Sequence, residues 1–126
     1  MELNRVHTDD APAAVGPYSQ AISIGDFVFT AGQVGIDHTG KITADDIQGQ
    51  TQQVMRNLRA VLQAAGIDLS RVVKTTVFLS DMANFQAMNE VYATFFDDPP
   101  PARSTVAVKG LPLGALVEIE VIAVKG

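Results

Sequence analysis

Two periodicities run along the chain, and the points where one gives way to the other mark out its elements. Ile47, Val54, Met55, Leu58, Val61, Leu62 and Ala65 recur at spacings of three, four or seven, the mark of a single buried helical face. A helix over residues 44–65 would run about 33 Å at 1.5 Å per residue. Thr43 and Asp46 form a weak capping box before it, and Gly66 supplies the stop. Gln48, Gln50, Gln52, Gln53, Arg56 and Arg59 fill its other faces and read as solvated surface. A second helix is predicted after a cap at Asp81, with Phe85, Met88, Tyr92 and Phe95 or Phe96 on one side. The run Asp97-Asp98-Pro99-Pro100-Pro101 ends it.

Elsewhere the period is two. Leu3 to His7 reads as a short strand, and residues 18–24 and 27–31 flank Gly25-Asp26 as a hairpin over residues 18–33. Val72 to Leu79 carries β-branched and aromatic residues on both faces, as a central strand would. Pro101 to Val108 and Leu116 to Val124, separated by Gly110, Pro112 and Gly114, read as a terminal pair of strands joined as a second hairpin. Thr8–Pro17 and Val34–Lys41 read as loops. Three strands, a long helix, a strand, a shorter helix and two strands make an α+β layer fold, a mixed sheet with both helices on one face.

The last strand carries the informative exception. Alternation places Val117, Ile119, Val121 and Ala123 on one face, and Leu116, Glu118, Glu120, Ile122 and Val124 on the other. Neither set suits water, and ionised groups are costly to bury unless they find a partner or a ligand. The second face is therefore expected to meet other copies of the chain.

At 126 residues the chain is long enough for one core, so a single domain over residues 1–126 is expected. With 47% hydrophobic and 18% charged residues it has the composition of a compact protein. A net charge of −5 and nine scattered Lys and Arg disfavour a nucleic-acid footprint. The chain has no cysteine, so disulfides, thiolate metal sites and Cys nucleophiles are excluded. His7 and His38 stand in unrelated contexts, which speaks against a zinc site or a Ser-His-Asp triad. No leader or membrane span is apparent, and the cytoplasm is the default location.

Several blocks, in order, resemble those of the RidA (YjgF) family of reactive enamine/imine deaminases. They are Ala11-Pro12-Ala13-Ala14-Val15-Gly16-Pro17-Tyr18-Ser19-Gln20, Thr30-Ala31-Gly32-Gln33, Val73 to Leu79, Met88 to Phe96, Pro101-Ala102-Arg103-Ser104-Thr105-Val106 and Val117 to Ala123. The resemblance implies a chorismate-mutase-like fold, a homotrimer with sites in the clefts between subunits, and no cofactor or metal. It implies hydrolysis of carboxylate-bearing enamines and imines, such as 2-aminoacrylate and 2-aminocrotonate, to 2-oxo acids and ammonia.

On the residues alone, an ion pair between Arg103 and Glu118 or Glu120 across a subunit boundary is the plainer reading. The resemblance instead makes Arg103 the clamp for the substrate carboxylate, since a guanidinium offers a two-point fork that stays charged. It makes Glu118 the group that positions or activates water. Tyr18, Gly32, Asn89 and Thr105 match pocket positions, and Glu120 matches none. The best-known relatives carry Cys where this chain has Thr105, which implies chemistry without a thiolate. Two other classes remain: a small-molecule-binding or chaperone-like trimer without turnover, and an endoribonuclease or translation inhibitor, which the acidic composition disfavours.

Overall fold

In the computed structural model, which describes residues 1–126, the strands are β1 (Leu3–Val6), β2 (Ala21–Ile24), β3 (Phe27–Thr30), β4 (Gln33–Val34), β5 (Val72–Leu79), β6 (Ala102–Ala107) and β7 (Val117–Val124). The helices are α1 (Ile47–Ala64) and α2 (Phe85–Tyr92), the latter flanked on each side by a single 3-10 turn. The strands join one mixed sheet in the order β1-β2-β3-β7-β5-β6, with β4 also paired to β7. Every pairing is antiparallel except β5 with β6.

That order corrects the expected terminal hairpin. β6 and β7 do not pair with each other, because β5 lies between them. Helix α2 carries the chain from β5 to β6, and a crossover of this kind returns a strand parallel to the one it left. The first hairpin is real but narrower than 18–33: β2 begins at Ala21, leaving Tyr18 in the preceding loop. Gln33 and Val34, at the edge of an expected loop, form β4 and face Ile119 and Glu118 of β7.

The start of α1 also shifts. Asp46 is itself the N-cap, its Oδ1 accepting from the Gly49 N–H at 2.9 Å, so Thr43 lies outside the helix and there is no capping box. Gly66 ends the helix as expected, with φ of +83°. The predicted stripe from Ile47 to Leu62 is buried. Gln50, expected at the surface, is buried too. Its Nε2 donates to the Ala44 carbonyl at 3.0 Å and its Oε1 accepts from the Leu116 N–H at 2.8 Å, tying the helix to the entrance of β7. Asn57, about two turns further along the same face, donates to the carbonyls of Val34 and Ile36, holding β4 and its exit. The helix period marks which side faces inward, but a buried glutamine satisfied by backbone partners leaves no apolar trace in it.

Both helices lie on one face of the sheet. Val28, Val77, Val117, Ile119, Val121 and Ala123 pack beneath them in the core. The opposite face is bare. On it Phe27 sits beside Val124, Phe29 beside Ile122, Phe78 beside Glu118 and Thr76 beside Glu120. Phe27, Phe29 and Val106 are each more than two-fifths exposed, at 47%, 43% and 44%.

Candidate functional site

Arg103 enters from β6, the edge strand. Its partner in register is Thr75, which is buried beneath the helices, so the arginine side chain leaves the sheet on the helix-covered side and reaches under α2. There Nη1 donates to Asn89 Oδ1 at 2.7 Å. The guanidinium carbon lies 4.8 Å from the ring centroid of Tyr92 and 5.4 Å from that of Phe85, close enough for both ring faces to attract the cation. Tyr92 is fixed in turn, its hydroxyl 2.8 Å from Thr75 Oγ1. Burial pushes the Tyr92 phenol above its ordinary value, opposed by the Thr75 hydrogen bond and the charge of Arg103.

What Arg103 lacks is an anion. The ion pairs of the chain are His7–Asp9 and Arg59–Asp68, so the ion pair with Glu118 or Glu120 does not form within a single chain. A cavity of 610 Å³ opens beside the guanidinium, walled by Asn89, Tyr92, Phe96 and Pro101 with Asp97 and Asp98. Thr105, two residues along the same face of β6, has its Oγ1 shielded from solvent and without a hydrogen-bond partner.

The other candidates gather elsewhere. Glu118 stands on the bare face of β7, beside Phe78 and Val34 in register. Gly32, between β3 and β4, lies against it: a Cβ at this position would come within 2.8 Å of Glu118 Cδ and 3.0 Å of Cγ. Only a residue without a side chain lets the carboxylate settle there. Burial, and behind it the charge of Glu120, push the Glu118 carboxyl above the ordinary carboxylate range. Tyr18 is 54% exposed and lines a small cavity with Pro12, Ala13, Gln20 and Gly32.

The six candidates therefore form two groups. Arg103, Asn89 and Thr105 stand on the helix-covered side of β6 and α2, and Tyr18, Gly32 and Glu118 stand around the bare face. The sequence reading missed Tyr92 and Phe85 as partners of the arginine, assigning both to the apolar stripe. Phe85, Asn89 and Tyr92 follow one another by four and three residues, a spacing that puts them on one face of a helix. The polar member of that row was the available signal.

A mixed sheet with two helices on one face and this pair of arginine and glutamate clusters defines a class before it defines a protein. Residues 8–125 match the family model described as Endoribonuclease L-PSP, and the chain belongs to this family, the RidA (YjgF) family. Reactive Intermediate Deaminase A of Arabidopsis thaliana, a chloroplastic protein, is 51% identical over 94% of this chain and 64% of its own. The 2-iminobutanoate/2-iminopropanoate deaminase of Mus musculus is 45% identical over 96% of this chain and 90% of its own. The crystal structure of E. coli TdcF with bound serine superposes with a TM-score of 0.92 at 41% identity, covering 98% of this chain and 99% of that one.

Proposed function

We propose that this protein hydrolyses small carboxylate-bearing enamines and imines to 2-oxo acids and ammonia, at sites completed between copies of a homotrimer. The observation that carries the reading is Arg103: a guanidinium oriented by Asn89, Tyr92 and Phe85, ion-paired to no carboxylate of its own chain and facing a cavity. Such a group is preorganised for a carboxylate that arrives from outside. Deaminase names among the relatives and the serine bound to TdcF agree with a small amino-acid-derived ligand.

The bare sheet face supports the assembly. Its apolar residues and the half-buried carboxylate of Glu118 suit a second copy better than water. Docking there brings Glu118, Gly32 and Tyr18 of one copy against Arg103, Asn89 and Thr105 of the next. The substrate carboxylate then rests on Arg103. Water adds to the imine carbon while Glu118 takes its proton, giving a carbinolamine. That proton passes from Glu118 to the nitrogen, the carbinolamine hydroxyl gives its own proton to the carboxylate as the C–N bond breaks, and ammonia leaves a 2-oxo acid. A carboxylate whose environment lifts its affinity for protons is suited to receive and return that proton. The imine carbon is already electrophilic, so the reaction calls for neither a cofactor nor a Thr105 nucleophile, and orientation with proton transfer suffices.

No helix is long and apolar enough to cross a membrane, and we assign the activity to the cytoplasm. The test is 2-oxo acid formation from an enamine generated in situ by a serine or threonine dehydratase, with the native chain and with Arg103→Ala. Acceleration by the first and not the second is expected; equal rates would sink the proposal. The family description favours one rival, RNA cleavage, and the same preparations incubated with single-stranded RNA distinguish it.

A further inference from the structure

We infer that Gln20 is the positioning residue that fixes Tyr18 relative to Gly32 and Glu118; the inference rests on the reading of Tyr18 as a group of the imine site. Tyr18 closes a loop, residues 8–19, that has little regular structure of its own. Gln20 is 2% exposed and spends every polar group of its side chain on that loop. Its Oε1 accepts from the Thr8 N–H at 2.8 Å, and its Nε2 donates to the Thr8 carbonyl at 3.0 Å and the Pro12 carbonyl at 2.8 Å. The other hydrogen bonds of the loop are local: Asp10 N–H to Thr8 Oγ1, Tyr18 N–H to the Gly16 carbonyl, and the His7 ring Nε2 to Asp9 Oδ1. Buried Ala11 is the loop's apolar anchor in the core.

The main chain of Gln20 faces the other way. Its carbonyl accepts from the Ala31 N–H at 2.9 Å, one residue before the glycine that cradles Glu118. One residue thus clasps the start and middle of the loop with its side chain and the Gly32 segment with its backbone, while Tyr18 lies only two residues before it. Pro12, Tyr18, Gln20 and Gly32 accordingly wall the same small cavity. Without the amide, the loop keeps Ala11 but loses its three ties to Gln20, and Tyr18 is no longer held to the cavity wall it shares with Gly32.

A double-mutant cycle in the dehydratase-coupled assay separates this role from general support of the fold. Gln20→Met keeps the length and removes all three hydrogen bonds. It should lower kcat/KM about as much as Tyr18→Phe does, roughly tenfold, and add less than twofold in the Tyr18→Phe background. Losses that multiply in the double variant would overturn the inference, because Gln20 would then act on something other than Tyr18. Gln20→Leu, which likewise removes all three hydrogen bonds without burying a charge, should match Gln20→Met and serves if the methionine variant folds poorly.

Amide hydrogen exchange supplies a readout independent of turnover. In Gln20→Met, exchange should accelerate across residues 8–19 while α1 and β5 stay as protected as in the native chain. Unchanged exchange in the loop overturns the inference even if the native chain shows no deaminase activity. Loosened exchange in a chain without that activity leaves the clasp standing and sinks its catalytic part with the parent proposal.

Discussion

The two clusters of candidate residues are built on opposite principles. Around Arg103 the chain supplies everything but the anion: an amide acceptor, two aromatic faces and a second hydrogen bond that locks one of the rings. Around Glu118 it supplies mainly absence, a glycine where any Cβ would collide and a sheet face with nothing upon it. The first cluster is finished within one chain, whereas the second is open. A cation can be held ready by neutral neighbours at modest cost, but a carboxylate meant to exchange a proton needs partial desolvation, which here a neighbouring copy would complete.

The largest expected effect tests the finished half. Arg103→Ala should lower kcat/KM for an anionic imine roughly a hundredfold or more, since it removes a charge-assisted contact in a shielded setting. Arg103→Lys should restore little, because an ammonium cannot reproduce the planar fork between Asn89 and the two rings. Native-like rates in either variant, measured with the dehydratase-coupled assay, would move the carboxylate site elsewhere.

The division between the halves can itself be broken by mixing. Arg103→Ala and Glu118→Gln should each be inactive, yet a mixture unfolded and refolded together should regain activity. Random assortment of equal amounts restores about a quarter of sites that draw one residue from each of two neighbouring subunits. No recovery, with oligomers of the native size, would mean that both residues act from the same chain.

Much of this was legible along the chain, and what was not has a common cause. The stripe of α1, the stop at Gly66 and the two faces of β7 all follow from local periodicity, which a helix or strand enforces wherever it sits. The insertion of β5 between β6 and β7 follows from which strands meet, a choice made by the crossover through α2 and invisible in either strand's composition. At the site, Arg103 and Glu118 stood out as charges in apolar strands. Their placement on opposite sides depends on register: Arg103 pairs with Thr75, and Glu118 with Phe78, three residues further along β5. An odd offset between strands reverses the face. Gln50 reads as surface, and Gln20 as no more than part of a matching block, until their backbone partners are seen.

Gly32→Ala sharpens the open half. Its Cβ would fall on the free end of the Glu118 side chain and not on backbone, so the carboxylate should swing aside with little loss of stability. Activity should drop about tenfold while the melting temperature moves little. A large fall in melting temperature instead would make Gly32 a structural glycine.

Glu118→Gln carries a smaller, pH-dependent effect on stability. Because the folded chain raises this carboxyl's pKa, folding is favoured by the protonated form. The stability that form supplies is complete below the unfolded pKa and is lost as pH rises through the folded one. The variant should therefore be the more stable protein at neutral pH, by a few degrees or less in melting temperature, and the gap should close on acidification. A gap that widens toward low pH would mean that Glu118 finds a cationic partner in the assembled protein.

Thr105 predicts the smallest change and the most diagnostic one. Its hydroxyl is shielded from water and has no acceptor within the chain, a state that costs about 1–3 kcal/mol when nothing compensates it. Thr105→Val removes the hydroxyl and keeps the branched shape that suits β6 beside Val77, so it should leave stability unchanged or raise it slightly. Activity then discriminates between two uses of the position. If the hydroxyl donates to a ligand atom held between subunits, Thr105→Val lowers kcat/KM several-fold and Thr105→Ser retains it. If the strand's shape is what matters, the order reverses: valine works and serine, lacking the methyl, does not. The orphaned hydroxyl on the same face as the arginine favours the first outcome, in which threonine marks where the substrate lies and takes no part in covalent chemistry.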